Sequence, residues 1–294
     1  MHKNNKHSGD YKFEVLVKAH EALEPFVHLG KSKKKTINFS DPKAVKALNT
    51  ALLKHHYNID YWEFSEKNLC PPIPGRVEYI HIINDLLKST KVNRDILILD
   101  VGTGATCIYP ILGQKEYGWD FIGSETDKSS YNNALKILKQ NNLDSNIQLR
   151  FQPTSEFIFN GIIKTDDKFV ASICNPPFYK SKDDAHSNNA QKLKGINSDG
   201  TMPNRNFSGT PSELIYKGGE KAFLHNYLYQ SSLFKNNCLW YTVLVSKKDL
   251  LKSMKDSLKK LGVKEIQIIP MKLGNKISRI IAWTFLDGEE RLNW

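Results

Sequence analysis

The sequence contains no uninterrupted apolar run near the ~20 residues a membrane-spanning helix needs. Its opening residues, Met1-His2-Lys3-Asn4-Asn5-Lys6-His7, carry no apolar stretch, so no secretory leader is expected. Only four cysteines occur, Cys70, Cys107, Cys174 and Cys238, widely scattered and without a Cys-x-x-Cys pair. That pattern argues against a zinc centre or a disulfide framework, and it predicts buried free thiols in a reducing, cytoplasmic setting. No metal site is expected, and no internal repeat is visible.

What the chain does have is length and positive charge. Its 294 residues, 40% hydrophobic and 11% aromatic, suffice for one large α/β domain with an extension or for two small domains. Lys and Arg total 42 against 31 Asp and Glu, a net charge of +11. That balance favours an anionic partner, nucleic acid first and an acidic membrane surface second.

Residues 1–40 read as a basic, partly disordered arm. The cluster Lys31-Ser32-Lys33-Lys34-Lys35 is either a solvated loop or a phosphate contact. From Asp41-Pro42 the pattern turns helical, with Asp41 as cap, Pro42 in the first helical position, and Val45, Leu48, Leu52 and Leu53 at helical spacing. The segment Leu69-Cys70-Pro71-Pro72-Ile73-Pro74-Gly75-Arg76 is too rich in proline and glycine for a helix, and a rigid extended connector is expected. A second helix should follow, with Tyr79, Ile80, Ile83, Leu86 and Leu87 on its apolar face.

Asp95 to Asp100 then reads as a buried parallel strand, and strands and helices alternate from there. Strands are expected at Phe121–Gly123, Ile147–Phe151, Phe169–Cys174 and Leu239–Val245, with helices at Tyr131–Gln140, Lys221–Phe234 and Lys248–Leu261. Lys264–Ile269 and Ile277–Phe285 suit a closing pair. This alternation predicts a mostly parallel sheet covered on both faces. Residues 180–219, rich in Ser, Asn, Lys and Gly, break the pattern and read as a substrate lid.

Three motifs carry chemistry. Asp100-Val101-Gly102-Thr103-Gly104-Ala105 closes the first strand, where two glycines let the backbone turn sharply and approach a ligand. A dinucleotide site would prefer a further glycine three residues after Gly104, where this chain has Cys107. Glu125, after the next strand, is placed to accept hydrogen bonds from both hydroxyls of a ribose, while Asp127 is placed to cap the following helix.

The third motif, Asn175-Pro176-Pro177-Phe178, follows the strand ending at Cys174. Two prolines fix φ and remove two N–H donors, leaving a rigid loop that presents acceptors: the Asn175 side-chain oxygen and the Pro176 carbonyl. A planar exocyclic amine has two hydrogens to donate and a delocalised lone pair. Acceptors aimed at both hydrogens favour pyramidalisation and hold the nitrogen in line with a sulfonium methyl, and positioning of this kind lowers the barrier. Phe178 suits stacking on a base withdrawn from its helix.

Asp-x-Gly-x-Gly followed by Asn-Pro-Pro-Phe resembles the class I amino-methyltransferases. The segments Leu69–Arg76, Tyr79-Ile80-His81, Asp100–Pro110, Gly218-Gly219-Glu220 and Ile281–Phe285 narrow the resemblance to the RlmF-type adenine-N6 methyltransferases of bacterial large-subunit (23S) ribosomal RNA, relatives of a human U6 small-nuclear-RNA adenine methyltransferase. The resemblance runs over nearly the whole chain. It implies a Rossmann-like class I methyltransferase domain, mostly parallel with an antiparallel closing strand, over residues 91–294. Residues 1–90 would then form a helical extension that binds RNA and covers the cofactor site.

The cofactor implied is S-adenosylmethionine, held by Arg76 at the methionine carboxylate, by Asp100, Gly102, Thr103, Gly104 and Thr106 around the turn, by Glu125 at the ribose, by Thr154 at the adenine end, and by Asn175. Asn175, Pro176, Pro177 and Phe178 would hold the target base. Lys33, Lys34, Lys35, Lys247 and Lys248 would touch RNA. The implied partner is 23S ribosomal RNA or a large-subunit assembly intermediate, and the enzyme is expected to be a monomer without membrane contact.

The residues themselves leave rivals open. The Asn-Pro-Pro-aromatic loop also suits a release-factor glutamine, or adenine or cytosine in DNA, since each presents an NH2 group. A non-catalytic RNA-binding protein of ribosome assembly, or a nicotinamide-dependent oxidoreductase, shares parts of the pattern.

Overall fold

The structure is a computed structural model that describes residues 1–90, 92, 95–181, 184, 209–273 and 276–294. The N-terminal arm is ordered rather than partly disordered. Phe13, Leu16, Leu23 and Ile37 are buried, and even Asn5 and His7 are enclosed. Helix α1 (Phe13–Ala19), a 3-10 turn (Glu21–Phe26) and a small hairpin of β1 (His28–Leu29) and β2 (Lys35–Thr36) pack ahead of α2 (Pro42–Tyr57). The expectation failed because the arm's apolar residues, numerous between Tyr11 and Leu29, are divided among a short helix, a 3-10 turn and a hairpin strand, so no single period announces their burial. Asp41 caps α2 as expected, accepting from the Lys43 N–H at 2.8 Å.

The connector is also corrected. Helix α3 (Ile73–Ser89) already begins at Ile73, with Pro74 and Gly75 inside its first turn. The first N–H groups of a helix have no partner within it, so proline there loses nothing. The Pro72 carbonyl accepts from the Gly75 and Arg76 N–H groups at 3.1 and 3.2 Å. Arg76 therefore sits on a helical turn instead of an extended strand.

Beyond α3 the elements are β3 (Leu97–Val101), α4 (Ile108–Tyr117), β4 (Asp120–Glu125), α5 (Lys128–Gln140), β5 (Ile147–Phe151), β6 (Phe169–Cys174), α6 (Pro211–Leu214), α7 (Gly219–Ser231), β7 (Cys238–Val245), α8 (Leu250–Lys260), β8 (Glu265–Leu273), β9 (Lys276–Thr284) and α9 (Gly288–Leu292). The seven-stranded sheet has the order β5-β4-β3-β6-β7-β9-β8. The first five strands in that order are parallel, and β9 enters antiparallel to both β7 and β8. Chain direction along the sheet turns about β3: β4 and β5 lie to one side of it, β6 and β7 to the other. Ligands bind beyond the strand ends at such a switch point.

Alternate strand residues feed different cores, as the pleat requires. Ile98 joins one apolar cluster and Leu99 the other. The first cluster also takes Phe13, Leu48, Leu52, Tyr79 and Ile83, so α1, α2 and α3 share a core with the sheet. All four cysteines are buried and outside any disulfide. Residues 182–183 and 185–208, the greater part of the expected lid, lie outside the described residues.

Candidate active site

Register builds the site. Val101, the last residue of β3, pairs with Ser124 of β4 on one side and with Cys174 of β6 on the other. Gly102, Glu125 and Asn175 are each the residue that follows. Three separate motifs are thereby brought to one level of the sheet, and neighbouring strands lie only about 4.8 Å apart. A cavity of about 930 Å³ opens there, lined among others by Arg76, Gly102, Gly104, Glu125, Asn175 and Pro177. Thr103 and Thr106 also reach it.

The glycine turn is tied to the next strand. The Gly102 and Thr103 N–H groups both donate to the Ser124 carbonyl, at 3.0 and 2.9 Å. Gly102 and Gly104 take φ of 74° and 69°, the left-handed region where a side chain is strained. Among the described residues no atom lies within 4 Å of a Cβ built on Gly102, so that face is open to a ligand. Cys107, where a dinucleotide site would have its further glycine, is itself left-handed at φ 50°. Its thiol, pushed up by burial, lies 3.7 Å from Thr103 Oγ1.

Asp100 does not line the cavity. It is fully buried behind the turn, where Oδ2 accepts from Thr103 Oγ1 at 2.7 Å. Burial pushes its carboxyl up to about 7, with the Glu125 charge adding to the rise and the Thr103 hydrogen bond opposing it. Asp100 thus shapes the turn from below.

Glu125 is buried and accepts from three backbone N–H groups: Gly104 on Oε2 at 2.8 Å, and Thr126 and Asp127 on Oε1 at 2.7 and 2.8 Å. Each carboxylate oxygen has about two acceptor positions. Oε1 is therefore filled and Oε2 retains room for one further donor. Burial raises its carboxyl above the usual range, against the pull of the three N–H groups. Asp127 caps α5, accepting from the Ser130 N–H at 2.7 Å.

Arg76 donates to Tyr109 Oη at 2.8 Å and stands over the same ring at 5.3 Å from its centroid. Its buried Nε finds no partner among the described residues. An arginine held this way, with donors in reserve beside the glycine turn, fits an incoming carboxylate. The turn is further braced by the extension: Trp62 Nε1 donates to the Thr106 carbonyl at 3.1 Å.

Not every anticipated residue reaches the cavity. Of the Asn-Pro-Pro-Phe loop, Asn175 and Pro177 form its wall, whereas Pro176 is buried and Phe178 stands aside, half-buried. Thr154 lies outside the wall, although its neighbours Gln152 and Ser155 belong to it. Lys34 and Lys35 pair with Asp10 and Glu14, each at 2.6 Å. Lys33 occupies the tight turn between β1 and β2, away from the cavity. Lys247 and Lys248 are exposed just past β7. Their turn is fastened by buried Glu220, which accepts from the Ser246 N–H at 2.8 Å and from its hydroxyl. That gives the Gly218-Gly219-Glu220 segment a structural role.

Sequence reasoning missed Gln152, Tyr109 and Glu213. Gln152 directly follows β5 and was findable by the strand-end rule. Tyr109 and Glu213 gave no local signal, because their roles depend on neighbours distant in the chain.

Comparison with known proteins settles the family. Residues 1–287 match the model of an RNA methyltransferase family, Methyltransf_10. The chain belongs to this family. It is 45% identical over 299 residues to the ribosomal RNA large subunit methyltransferase F of Colwellia psychrerythraea, covering 98% of the chain and 99% of that protein. It is 42% identical over 313 residues to the protein of the same name from Vibrio parahaemolyticus, covering all of the chain and 84% of the relative. Among solved structures it resembles the human METTL16 catalytic domain in complex with the MAT2A 3'UTR hairpin 1, with TM-score 0.84, 28% identity, and 98% and 96% of the two chains covered. The N-terminal domain of human METTL16 in complex with SAH gives TM-score 0.79 and 26% identity over 98% and 99% of the chains. The class I methyltransferase architecture expected from the sequence is confirmed, and an enzyme of this family uses S-adenosylmethionine.

Proposed function

We propose that this methyltransferase transfers a methyl group from S-adenosylmethionine to the N6 amine of one adenine in 23S ribosomal RNA. The observation that carries the reading is the common level of Gly102, Glu125 and Asn175 at the mouth of one cavity. When bound, S-adenosylmethionine supplies an electrophilic methyl group. Arg76 and the glycine turn would hold its amino-acid end, Glu125 would take a ribose hydroxyl on Oε2, and Gln152 and Ser155, the wall residues on either side of Thr154, would face the adenine end. The Asn175 amide oxygen and the Pro176 carbonyl accept the two hydrogens of the target amine, and Phe178 swings against the base. No base is needed before transfer, because a neutral amine attacks and loses its proton afterwards.

The RNA reaches this cavity over a basic surface in which residues 1–90 serve as an extension to the catalytic residues 91–294. Lys33, Lys34, Lys35, Lys247 and Lys248 contact phosphate, an RNA replacing Asp10 and Glu14 as partner of the first group. The substrate is free 23S RNA or a large-subunit assembly intermediate, the enzyme acts as a monomer in the cytoplasm, and no metal takes part. The resemblance to ribosomal RNA methyltransferases over the whole chain, together with the +11 charge, supports RNA over a release-factor glutamine or DNA.

The test is methyl transfer from tritiated cofactor to undermethylated 23S RNA, duplex DNA and a release factor side by side. Label in the RNA, mapped by mass spectrometry to one N6-methyladenosine, is the expected result. Label confined to the release factor or the DNA would overturn the assignment.

A further inference from the structure

We infer that the segment Thr210–Tyr216 couples the cofactor end of the cavity to the target-base loop, with Glu213 as its positioning residue; this rests on the methyltransferase reading of the cavity. The segment touches both ends. Tyr179, the residue after Asn175–Phe178, donates its N–H to the Leu214 carbonyl at 3.0 Å and accepts the Tyr216 N–H at 3.0 Å. Tyr179 and Ile215 thus form a parallel bridge. A shift of residues 214–216 must carry the end of the base-holding loop with it.

The adjacent residue, Glu213, reaches the other way. Its Oε2 accepts from the Leu69 N–H at 3.1 Å, the Thr210 N–H at 2.7 Å and the Thr210 hydroxyl at 3.2 Å. Its Oε1 accepts from Asn68 Nδ2 at 3.3 Å. Leu69 opens the segment that leads to Arg76, and it lines the cavity with Glu213. The same Oε1 lies 3.9 Å from where a Cβ on Gly104 would stand. One carboxylate therefore spans the glycine turn and the approach to Arg76, one residue from the ladder that grips the base loop.

The charge of Glu213 matters as well as its reach. Among the described residues three donors reach Oε2, while Oε1 has a single long bond on the cavity side. The ammonium group that S-adenosylmethionine and S-adenosylhomocysteine share meets a negative wall there, and its binding fixes Glu213. The ladder then holds residues 175–178 in place for the base. Linkage makes the effect mutual: a base bound at Asn175 tightens the cofactor by the same factor.

The experiment measures binding of an undermethylated 23S RNA fragment by fluorescence anisotropy, with and without saturating S-adenosylhomocysteine, in wild-type protein and in Glu213→Gln. In the wild type the nucleoside is expected to tighten RNA binding at least about fivefold, the lower end of ordinary coupling. In Glu213→Gln that factor should fall below about twofold, with a single cooperative melting transition and measurable RNA binding retained, an outcome that loss of fold does not produce. Asn68→Ala should lower the factor partially, and the double variant should add little beyond Glu213→Gln. A Glu213→Gln protein that keeps the full coupling factor overturns the inference. So does a wild type that binds both ligands without mutual effect. Wild-type protein that binds no S-adenosylhomocysteine would instead remove the functional reading, and the inference with it.

Discussion

Asn5 donates its side-chain amide to Glu78 Oε2 at 2.7 Å and to the Pro74 carbonyl at 3.1 Å, fastening the N-terminal arm across the first turns of α3. The His2 N–H fills the other oxygen of Glu78 at 2.7 Å. Arg76 lies between Pro74 and Glu78, so the start of the chain holds the helix that aims the cofactor's arginine. Replacing Asn5 by Ala removes one donor from a buried carboxylate, a loss of about 1.5–3 kcal/mol. We expect a lower melting temperature and a several-fold weaker affinity for S-adenosylhomocysteine by calorimetry. A variant matching the wild type in both would disconnect the arm from the site.

Arg76 itself tests the carboxylate assignment. Its planar guanidinium lies over the Tyr109 ring and can offer a carboxylate a fork of donors, and lysine reproduces neither feature. Arg76→Lys should weaken cofactor binding about tenfold or more, equivalent to roughly 1.4 kcal/mol. Adenosine, which lacks the amino-acid end, should bind both proteins equally. Equal losses for adenosine and S-adenosylhomocysteine would place Arg76 elsewhere in the cofactor site.

Asn175→Ala should lower turnover by roughly 10²–10³, the range found when one preorganised polar contact to the reacting group is deleted. Cofactor affinity should change little, because the glycine turn, Arg76 and Glu125 remain. Single-turnover kinetics and calorimetry separate the two quantities. Near-normal turnover in this variant would contradict the assigned role.

Asp100 gives a pH test. Its folded carboxyl is raised to about 7 from an ordinary value of 3.8, chiefly by burial. A group raised on folding favours the native state fully below its unfolded value, and that contribution is lost as pH climbs through the folded one. Asp100→Asn removes the charge and keeps the shape. Without cofactor, the variant should melt higher than wild type at pH 8 by about 2–4 °C for each kcal/mol recovered. The gap should narrow toward pH 4. A constant gap across that window would show that Asp100 does not titrate there.

RNA affinity should fall steeply with salt, since phosphate contacts release counterions. The Lys247→Ala, Lys248→Ala double variant should flatten the log–log slope by about one to two if both lysines touch phosphate. An unchanged slope takes this turn out of the RNA path.

Much of this arrangement was legible in the sequence. Ile147–Phe151 and Phe169–Cys174 were bounded to the residue, because short β-rich runs flanked by turn residues have few other readings. The glycine turn, Glu125 and the Asn-Pro-Pro loop were legible because each directly follows a strand. Pro74 misled, since the rule against proline in helices lapses in the first turn. The folded state of residues 1–40 was hidden, because Asn5, His7 and Leu23 are buried by partners scattered through α2 and α3 rather than by any local pattern. Glu213 was invisible for the same reason: its partners Asn68 and Leu69 are far away in the chain.

The core that α3 shares with the sheet dictates when this protein can mature during synthesis. Tyr79 seats its hydroxyl on Thr242 at 2.7 Å, and Ile280, Ala282 and Leu286 complete the same apolar cluster as Phe13 and Leu52. Part of the cover over the segments that leave the ribosome first is thus supplied by those that leave almost last. Nearly the whole chain must be made before the core around its opening helices is complete. Until then they are a natural client for holding chaperones, and a chain stalled short of β9 should be a ready target for proteases.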